Sequence, residues 1–304
     1  MSQQLVDRRD LDFVIWEQMQ AESLIGNDTY KEFNKKTCNM IITEARALAI
    51  KEMLPTLAEG DKQGVRFEKG DVKVPDCFHD AHKLILEGEW QSLAMDPEMG
   101  GQGAPGFVSA ACAEYFLSAN WALYTYTSMG NGTAKLIDLY GTPEQKKTYI
   151  PNIVAGKWGG TMLLTEPQAG SDVGALETTA KKNADGTYSL SGNKIFITNG
   201  EHDLCDNIIH PVLARIEGDP PGTKGISIFI VPKYRVNDDG SLGARNDIVC
   251  TGVEEKHGIH GSATCSMAMG SKGACTGYLL GNAREGMKVM FNMINGARMS
   301  TGLQ

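Results

Sequence analysis

The spacing of apolar residues changes near Gly156, and this change constrains the fold more than any other feature of the sequence. Before Gly156, apolar residues recur at the three- and four-residue intervals of an amphipathic helix. Thr142 can cap a helix that has Pro143 at its first position and Gln145 three residues after the cap. Helices are therefore predicted for residues 28–58, 76–88, 107–117, 120–140 and 143–155. In the first, the apolar positions are Phe33, Met40, Ile41, Ala45, Leu48, Ala49 and Met53.

After Gly156 the apolar runs become short and are divided by turn residues. Asp185-Gly186, Ser191-Gly192-Asn193 and Asp238-Asp239-Gly240 are typical of hairpin turns. Short strands with such punctuation favour an antiparallel barrel or sandwich over a parallel sheet. Strands are predicted at residues 159–165, 187–191, 194–198, 207–215, 226–232, 247–253, 264–269 and 275–280.

Helical spacing returns from residue 285 and continues to Gln304. Seven residues fall on one face of this predicted helix: Met287, Met290, Phe291, Ile294, Ala297, Arg298 and Thr301. Such a methionine-rich face needs a cover, and core packing is its ordinary role. We expect an α+β chain with a helical domain at 1–157, a β-domain at 158–282 and, at 283–304, the first helix of a truncated C-terminal helical domain.

The charge balance argues against nucleic acid as a partner. The chain carries 37 acidic and 29 basic side chains, a formal net charge of −8, whereas a nucleic-acid-binding protein presents a basic face. The sequence has no apolar run long enough for a membrane span, so none is expected. The N-terminal segment does not resemble a signal peptide, and we expect a cytoplasmic protein.

Metal and disulfide sites are not expected. The seven cysteines are an odd number without a C-x-x-C pair, which is typical of reduced thiols in the cytoplasm. His257 and His260 lie three residues apart, but neighbouring glycines disfavour the helix that would bring both to one metal ion.

Gly101, Gly103 and Gly106 match the G-x-G-x-x-G pattern of dinucleotide-binding sites. That pattern needs a buried strand before it, a helix after it and an acidic residue about 20 positions further on. A loop sequence precedes it here, and the next acids, Glu114 and Asp138, stand at other distances. We interpret the glycines as an irregular connection.

The stretch TMLLTEPQAGSDVG, residues 161–174, begins as an apolar strand and breaks into small polar residues. After Pro167, the residues Ala169, Gly170 and Ser171 would expose several backbone N–H groups, which can form a concave anion site. Glycine also allows a ligand to approach the backbone closely. The segment therefore suits a phosphate-bearing ligand, although a plain β-turn would use the same residues.

A second stretch, GNKIFITNGE at residues 192–201, reads as a strand. Phe196 and Thr198 are two residues apart, so regular alternation would place both side chains on one face. An aromatic ring beside a hydroxyl donor suits a planar heterocycle. Ordinary strand alternation explains the same pattern.

Together, LLTEPQAGSDVG and GNKIFITNGE closely resemble the two flavin-contacting segments of the acyl-CoA dehydrogenase family. The resemblance extends through YGTPEQKKTYIPNIVAGKWGG and GMKVMFNMINGAR and covers nearly the whole chain. The segment from 231 to 265 is similar to a longer-chained branch that includes 3-methylmercaptopropionyl-CoA dehydrogenases. The resemblance implies a helical domain, a middle β-domain and a C-terminal four-helix domain, with FAD between the last two.

The resemblance also implies roles for individual residues. Ser171 would lie close to both FAD and acyl-CoA, Thr198 would donate toward the flavin N5, and Arg298 would contact the substrate. Phe196 replaces a frequent tryptophan that packs on the flavin. The full set of implied cofactor-binding residues is Met162, Leu164, Thr165, Gly170, Ser171, Phe196, Ile197 and Thr198.

The catalytic glutamate of the family has no counterpart at the positions where it is found. Most members carry it in the C-terminal domain, which would lie beyond Gln304, and a minority carry it where this chain has Ala297. We therefore expect FAD-dependent α,β-dehydrogenation of an acyl-CoA by family, and inactivity of this chain alone. The implied partners are an electron-transfer flavoprotein or similar acceptor and, at full length, further copies of the chain. A non-catalytic or split-subunit module that needs a partner chain is the alternative.

Overall fold

The computed structural model describes residues 5–303, and its first half is helical. Short α1 continues as a π-helical stretch at Phe13–Gln18, and a small hairpin of β1 (Arg66–Glu68) and β2 (Asp71–Lys73) follows the third helix. The helices of this half are α1 (Arg8–Asp12), α2 (Lys35–Leu48), α3 (Pro55–Gln63), α4 (Phe78–Glu87), α5 (Gly106–Tyr140) and α6 (Pro143–Val154).

The prediction of one continuous helix at 28–58 is wrong. Asn34 caps α2 by accepting a hydrogen bond from the Thr37 N–H, and a π-helical stretch at Ala49–Met53 separates α2 from α3. The predicted apolar face is also inexact, because Met40 is 59% exposed while Ile42 is fully buried. The buried residues Cys38, Ile42 and Ala45 of α2 keep the four- and three-residue spacing of a helix, so Ile42 and not Met40 lies on the face that packs into the core.

Helix α5 joins the two predicted helices at 107–117 and 120–140 through a kink. Asn120 has φ −163° and ψ 94°, values outside the helical region. Its side chain accepts from the Leu123 N–H at 3.1 Å and donates to Thr56 Oγ1 at 2.9 Å, so the interruption is satisfied by hydrogen bonds. Helix α6 carries the predicted capping box between Thr142 and Gln145.

Five strands of the second half form a closed ring. The hydrogen-bonded order is β5–β12–β7–β6–β4 and back to β5, which answers the choice between barrel and sandwich in favour of a barrel. Strands β11 and β10 extend the sheet from β5, and β3 extends it from β6. The strands are β3 (Trp158–Gly160), β4 (Thr179–Lys182), β5 (Tyr188–Thr198), β6 (Asn207–Ile216), β7 (Ile226–Pro232), β10 (Ile248–Val253), β11 (Thr264–Met269) and β12 (Cys275–Leu279); β8 (Tyr234–Val236) and β9 (Leu242–Arg245) form a separate hairpin.

The sequence predicted an antiparallel sheet, but the sheet observed also contains parallel pairs. Strands β3 and β4 both pair with β6 in parallel, and β4 was not among the predicted strands. The predicted strand at 159–165 ends at Gly160, after which Leu163 forms only an isolated bridge with Val212. Strand β4 is only four residues long, ends in two adjacent lysines and buries only Ala180, so it lacks the apolar alternation that predicts a strand, although it closes the ring.

The predicted hairpin turn at Ser191-Gly192-Asn193 is wrong, because β5 runs through it. Up to Ser191 the strand pairs with β4 and β12, and from Gly192 it pairs with β11. Gly192 has φ +151°, and a Cβ there would lie 2.5 Å from Thr178 Oγ1. Glycine is needed for this change of partners and for the close approach of Thr178. The turns at Asp185-Gly186 and Asp238-Asp239-Gly240 are confirmed by the tight connections between β4 and β5 and between β8 and β9.

The last helix, α7 (Gly286–Leu303), packs on α5 and β7 through a face offset from the predicted one. Its buried residues are Gly286, Val289, Met290 and Met293. Phe291, placed on the buried face by the sequence pattern, is 43% exposed, and Met299 is 79% exposed. Packing against α5 and β7 thus buries a face of α7 that only partly coincides with the one predicted from the apolar spacing. None of the helices within residues 5–303 is long and apolar enough to cross a lipid bilayer.

Candidate functional site

The segment after β3 forms a tight turn in which some of the backbone N–H groups are already hydrogen-bonded. The N–H groups of Glu166 and Ala169 each donate to the other residue's carbonyl at 3.1 Å. The Ala169 N–H is therefore not free for an anion, which corrects part of the sequence expectation. Gly170 and Ser171 follow on the surface and are exposed.

The C-terminal part of β5 contains a β-bulge at Ile195 and Phe196. Cys265 of β11 pairs with Ile197 and Met267 pairs with Lys194, so β5 has one more residue than β11 between these pairs. Phe196 itself has φ +57°, an uncommon conformation for a residue with a large side chain. The regular alternation behind the expected shared face of Phe196 and Thr198 is thus interrupted.

The ring of Phe196 is presented to solvent. Its exposed fraction is 50%, and the Lys256 ammonium lies 5.0 Å from the ring centroid. A strained backbone that carries an exposed aromatic ring is uncommon unless a binding site uses it.

A buried ion pair connects the turn to β5. Lys194 Nζ lies 2.7 Å from Glu166 Oε1, and the two side chains are 0% and 2% exposed. Lys194 Nζ also donates to the Leu164 carbonyl at 3.1 Å, and the Ile195 N–H donates to the Thr165 carbonyl at 2.9 Å. The two segments singled out in the sequence are therefore held side by side.

The pKa values of this pair reflect burial and mutual contact. Burial lowers the pKa of Lys194 to about 8, and the Glu166 carboxylate opposes that shift. For Glu166, burial raises the pKa, but the Lys194 ammonium and the hydrogen bonds from Thr178 and Glu177 bring it below its ordinary value. The carboxylate form of Glu166 is thus the one that the site stabilises.

A cavity of about 370 Å³ lies between α5 and α7 and reaches Met162 and Thr198. Its α5 wall includes Trp121, Thr125 and Ser128. On the α7 side the lining residues are Asn292, Met293, Gly296, Ala297, Ser300 and Thr301. Asn199, next to Thr198, donates to the Thr125 carbonyl at 2.8 Å and fixes the end of β5 against α5.

The predicted site residues do not all reach this cavity. Met162 and Thr198 line it; in the described range 5–303, Phe196 and Arg298 are not part of its wall. Ile197 is 1% exposed, so its side chain belongs to the core and only its backbone could meet a ligand. Arg298 is exposed on α7. The substrate-contacting roles of Ser171 and Arg298 stay predictions.

The cavity has a mostly uncharged lining. Among the residues that the structure describes, no Asp or Glu lines it, and Ala297 lines it at the position where a minority of the resembled family carries its base. The part of the chain from 5 to 303 also holds no cluster of three or more metal-ligating side chains.

Sequence reasoning missed Glu166, Lys194 and the α5 residues of the cavity. Lys194 follows Tyr188 and Leu190 at two-residue spacing on the inward face of β5, and a lysine in that series is the signal of a buried partner. Trp121 and Thr125 carry no such signal, because they resemble other core-facing residues of a long helix.

Two family models match the chain. The model described as acyl-CoA dehydrogenase, N-terminal domain, matches residues 35–157, and the acyl-CoA dehydrogenase middle domain matches residues 161–271. Together these matches cover more than half of the sequence. The three residues between them, 158–160, are β3.

Individual proteins are similar over most of the chain. The 3-methylmercaptopropionyl-CoA dehydrogenase of Ruegeria pomeroyi is 37% identical over 296 residues, covering 97% of this chain and 50% of that protein. An acyl-CoA dehydrogenase of Bacillus anthracis, solved in complex with FAD, superposes with a TM-score of 0.69 at 28% identity, covering 90% of this chain and 42% of that one.

A chain in the structure of the electron-transferring flavoprotein of Acidaminococcus fermentans gives a TM-score of 0.70 at 27% identity, covering 88% of this chain and 63% of that one. The present chain spans about half the length of the first curated relatives it matches.

Proposed function

Because this chain belongs to the acyl-CoA dehydrogenase family and carries its N-terminal and middle domains, we propose that it binds FAD and presents it to an acyl-CoA thioester. The observation that carries the proposal is the cavity between α5 and α7, which reaches Met162 and Thr198 at the ends of the two joined segments. The reaction is α,β-dehydrogenation of the acyl chain.

The residues at this edge suit a flavin. A planar ring laid on Phe196 would cover an aromatic surface that is 50% exposed in the free protein. Lys256 occupies one side of that ring, and its flexible stem allows it to move aside. Gly170 leaves room for a ligand, because a Cβ there would meet only Thr165 Cγ2, at 3.7 Å.

The acyl chain would enter the cavity between α5 and α7. The chemistry that bound FAD would supply is a hydride acceptor for the β-hydrogen. The chain's own contribution is to orient the reactants: Thr198 offers a hydroxyl at the cavity wall, and Trp121 and Met293 supply apolar surface. Exclusion of water from this space would strengthen any hydrogen bond to the thioester carbonyl.

Removal of the α-proton needs a carboxylate with a raised pKa. None of the cavity-lining residues within 5–303 is an acid, and the relatives are about twice as long. Both observations support a base supplied by polypeptide that this sequence does not contain. We propose that the chain alone does not turn over, and that an electron-transferring flavoprotein or similar acceptor reoxidises the complete enzyme.

The test is an FAD titration of the purified chain followed by desalting and addition of butyryl-CoA. We expect saturable quenching of flavin fluorescence, loss of the flavin on desalting and no bleaching by the thioester. Phe196→Ala should weaken binding, while Phe67→Ala, at an exposed ring on β1, serves as control. Absence of saturable binding would overturn the proposal that the chain binds FAD. Bleaching of the flavin by the thioester would overturn the proposal that the chain lacks the catalytic base.

A second candidate is a non-catalytic subunit that acts only with a partner chain. The exposed side chains of α7 favour it, since Phe291 is 43% and Met299 is 79% exposed. Both candidates predict activity only with further polypeptide, so the test is whether two separate chains form one complex. The chain is co-expressed with a polypeptide carrying the second half of a relative: copurification of the two supports the subunit, and chains that purify apart count against it.

A further inference from the structure

The ion pair between Glu166 and Lys194 has no part in the chemistry proposed above, yet it is the most deeply buried ion pair in the described part of the chain. Removing two charges from water is costly, and an apolar pair of similar volume often gives equal or better stability. Stability alone is therefore a weak reason for a charged pair at this place.

The hydrogen bonds of the Glu166 carboxylate join residues on both sides of one segment. Oε1 accepts from the Thr178 hydroxyl at 2.5 Å and from the Thr178 N–H at 3.2 Å. Oε2 accepts from the Glu177 N–H at 2.7 Å and from Gln168 Nε2 at 2.9 Å. Glu166 thus ties the start of segment 167–176, most of whose residues are exposed, to the two residues that follow it.

The contacts of Lys194 hold the other strand in register. Its ammonium reaches Glu166 and the Leu164 carbonyl, and the next residue donates to the Thr165 carbonyl. Phe196 follows directly, with φ +57°. A backbone conformation of this kind persists only where the surrounding contacts determine it.

We propose that Glu166 and Lys194 are positioning residues that clamp the turn segment to β5, hold Phe196 in its left-handed conformation and so orient Phe196 and Thr198 before FAD binds. The inference rests on the proposed function, because it specifies how the residues proposed to contact FAD are held in place. Neither residue needs to touch the cofactor, since both act through the backbone that follows them.

A matched pair in the same domain separates positioning from simple structural support. Lys233 contacts Glu201, and these side chains are 11% and 3% exposed. Arg245 also reaches Glu201, at 3.1 Å. This second pair joins the connection after β5 to the residue after β7, and the contacts described for its side chains are with Arg245, Tyr234 and the His202 N–H, not with Glu166, Lys194 or Phe196.

The experiment compares Lys194→Met with Lys233→Met in the 304-residue chain, with the FAD dissociation constant and the shape of the bound flavin's visible band as readouts. We expect Lys194→Met to weaken FAD binding by about tenfold or more and to change the band, and Lys233→Met to change affinity by less than about twofold. Equal effects of the two substitutions, or wild-type affinity in Lys194→Met, would overturn the proposal.

Lys194→Met leaves Glu166 buried without its cation and can prevent folding. The double variant Glu166→Gln/Lys194→Met removes both charges and is the second test. Weakened FAD binding by this folded double variant supports the clamp, and wild-type binding refutes it.

Amide hydrogen exchange without FAD makes the test independent of the proposed function. In the wild type, the N–H groups of Glu177, Thr178 and Ile195 should exchange as slowly as that of Leu213 in β6. Faster exchange there would refute the clamp even if no variant folds. If the wild type shows no saturable FAD binding, the proposed function fails, while slow exchange that is lost in the double variant and kept in Lys233→Met still supports the clamp.

Discussion

The hydroxyl of Tyr126 accepts a hydrogen bond from the Ala263 N–H at 2.7 Å and donates one to the Gly261 carbonyl at 2.9 Å. Tyr126 belongs to α5 and Ala263 precedes β11, so one side chain links the helical half to the barrel half. Both residues are buried. The two halves are thereby joined next to the cavity.

Tyr126→Phe should destabilise the chain by about 1–3 kcal/mol, because it leaves a buried N–H and a buried carbonyl without a partner. Tyr140→Phe is the matched control, since its hydroxyl accepts an exposed hydrogen bond from Asn292 at 2.8 Å. The control should change stability by less than about 0.5 kcal/mol. Urea unfolding measures both, and an equal loss in the two variants would contradict the assignment.

Gly160→Ala should separate β3 from α5. A Cβ at Gly160 would lie 2.5 Å from Thr133 Oγ1 and 2.9 Å from the Gly130 Cα, and a backbone atom cannot move aside cheaply. Overpacking of this kind costs about 1–3 kcal/mol. Gly252→Ala is the control, because a Cβ there meets nothing within 4 Å. Thermal unfolding that shows no difference between the two would rule out the close contact.

The conformation of Phe196 predicts that glycine at this position gives a more stable protein than alanine, the reverse of the usual order in a strand. At φ +57° a residue with a Cβ is strained by about 1–2 kcal/mol, whereas glycine is not. Phe196→Gly should therefore be more stable than Phe196→Ala by about 1 kcal/mol. At exposed Ser191, in the same strand, the usual order should hold, with glycine about 0.5–1 kcal/mol less stable than alanine. The same order at both positions in urea unfolding would disprove the strain.

Stability should fall as the pH drops below 6.5, because three histidines are buried in the neutral form. Burial lowers the pKa of His82 to about 4 and of His210 to about 3, and it lowers that of His202 well below its ordinary value. Between these values and 6.5 the unfolded chain binds a proton that the folded chain does not. Each histidine then removes about 1.4 kcal/mol per pH unit.

The acid dependence is measured by urea unfolding between pH 7 and pH 4.5. His82→Gln should flatten the slope by about 1.4 kcal/mol per pH unit below pH 6, since one of the three proton uptakes is lost. His257→Gln, at an exposed side chain, should keep the wild-type slope. An unchanged slope in His82→Gln would mean that His82 is protonated in the folded chain.

The sequence alone determined features whose cause is local. The capping box at Thr142 and the turn at Asp185-Gly186 depend on residues a few positions apart, and each is where the sequence predicted it. The two flavin-segment motifs identified the family for the same reason, because each is a short run of specific residues.

Only the tertiary structure decided how these segments meet. Strand β4 closes the barrel, β5 changes partners at Gly192, and α7 turns Met293 rather than Phe291 inward, since each depends on a surface contributed by a distant segment. The same holds for the site: Glu166 and Lys194 are 28 residues apart, and the cavity walls come from α5, β5 and α7. A residue pattern indicates which secondary structure a segment favours and which side chains favour burial, whereas the packing of the whole chain determines which residues they contact.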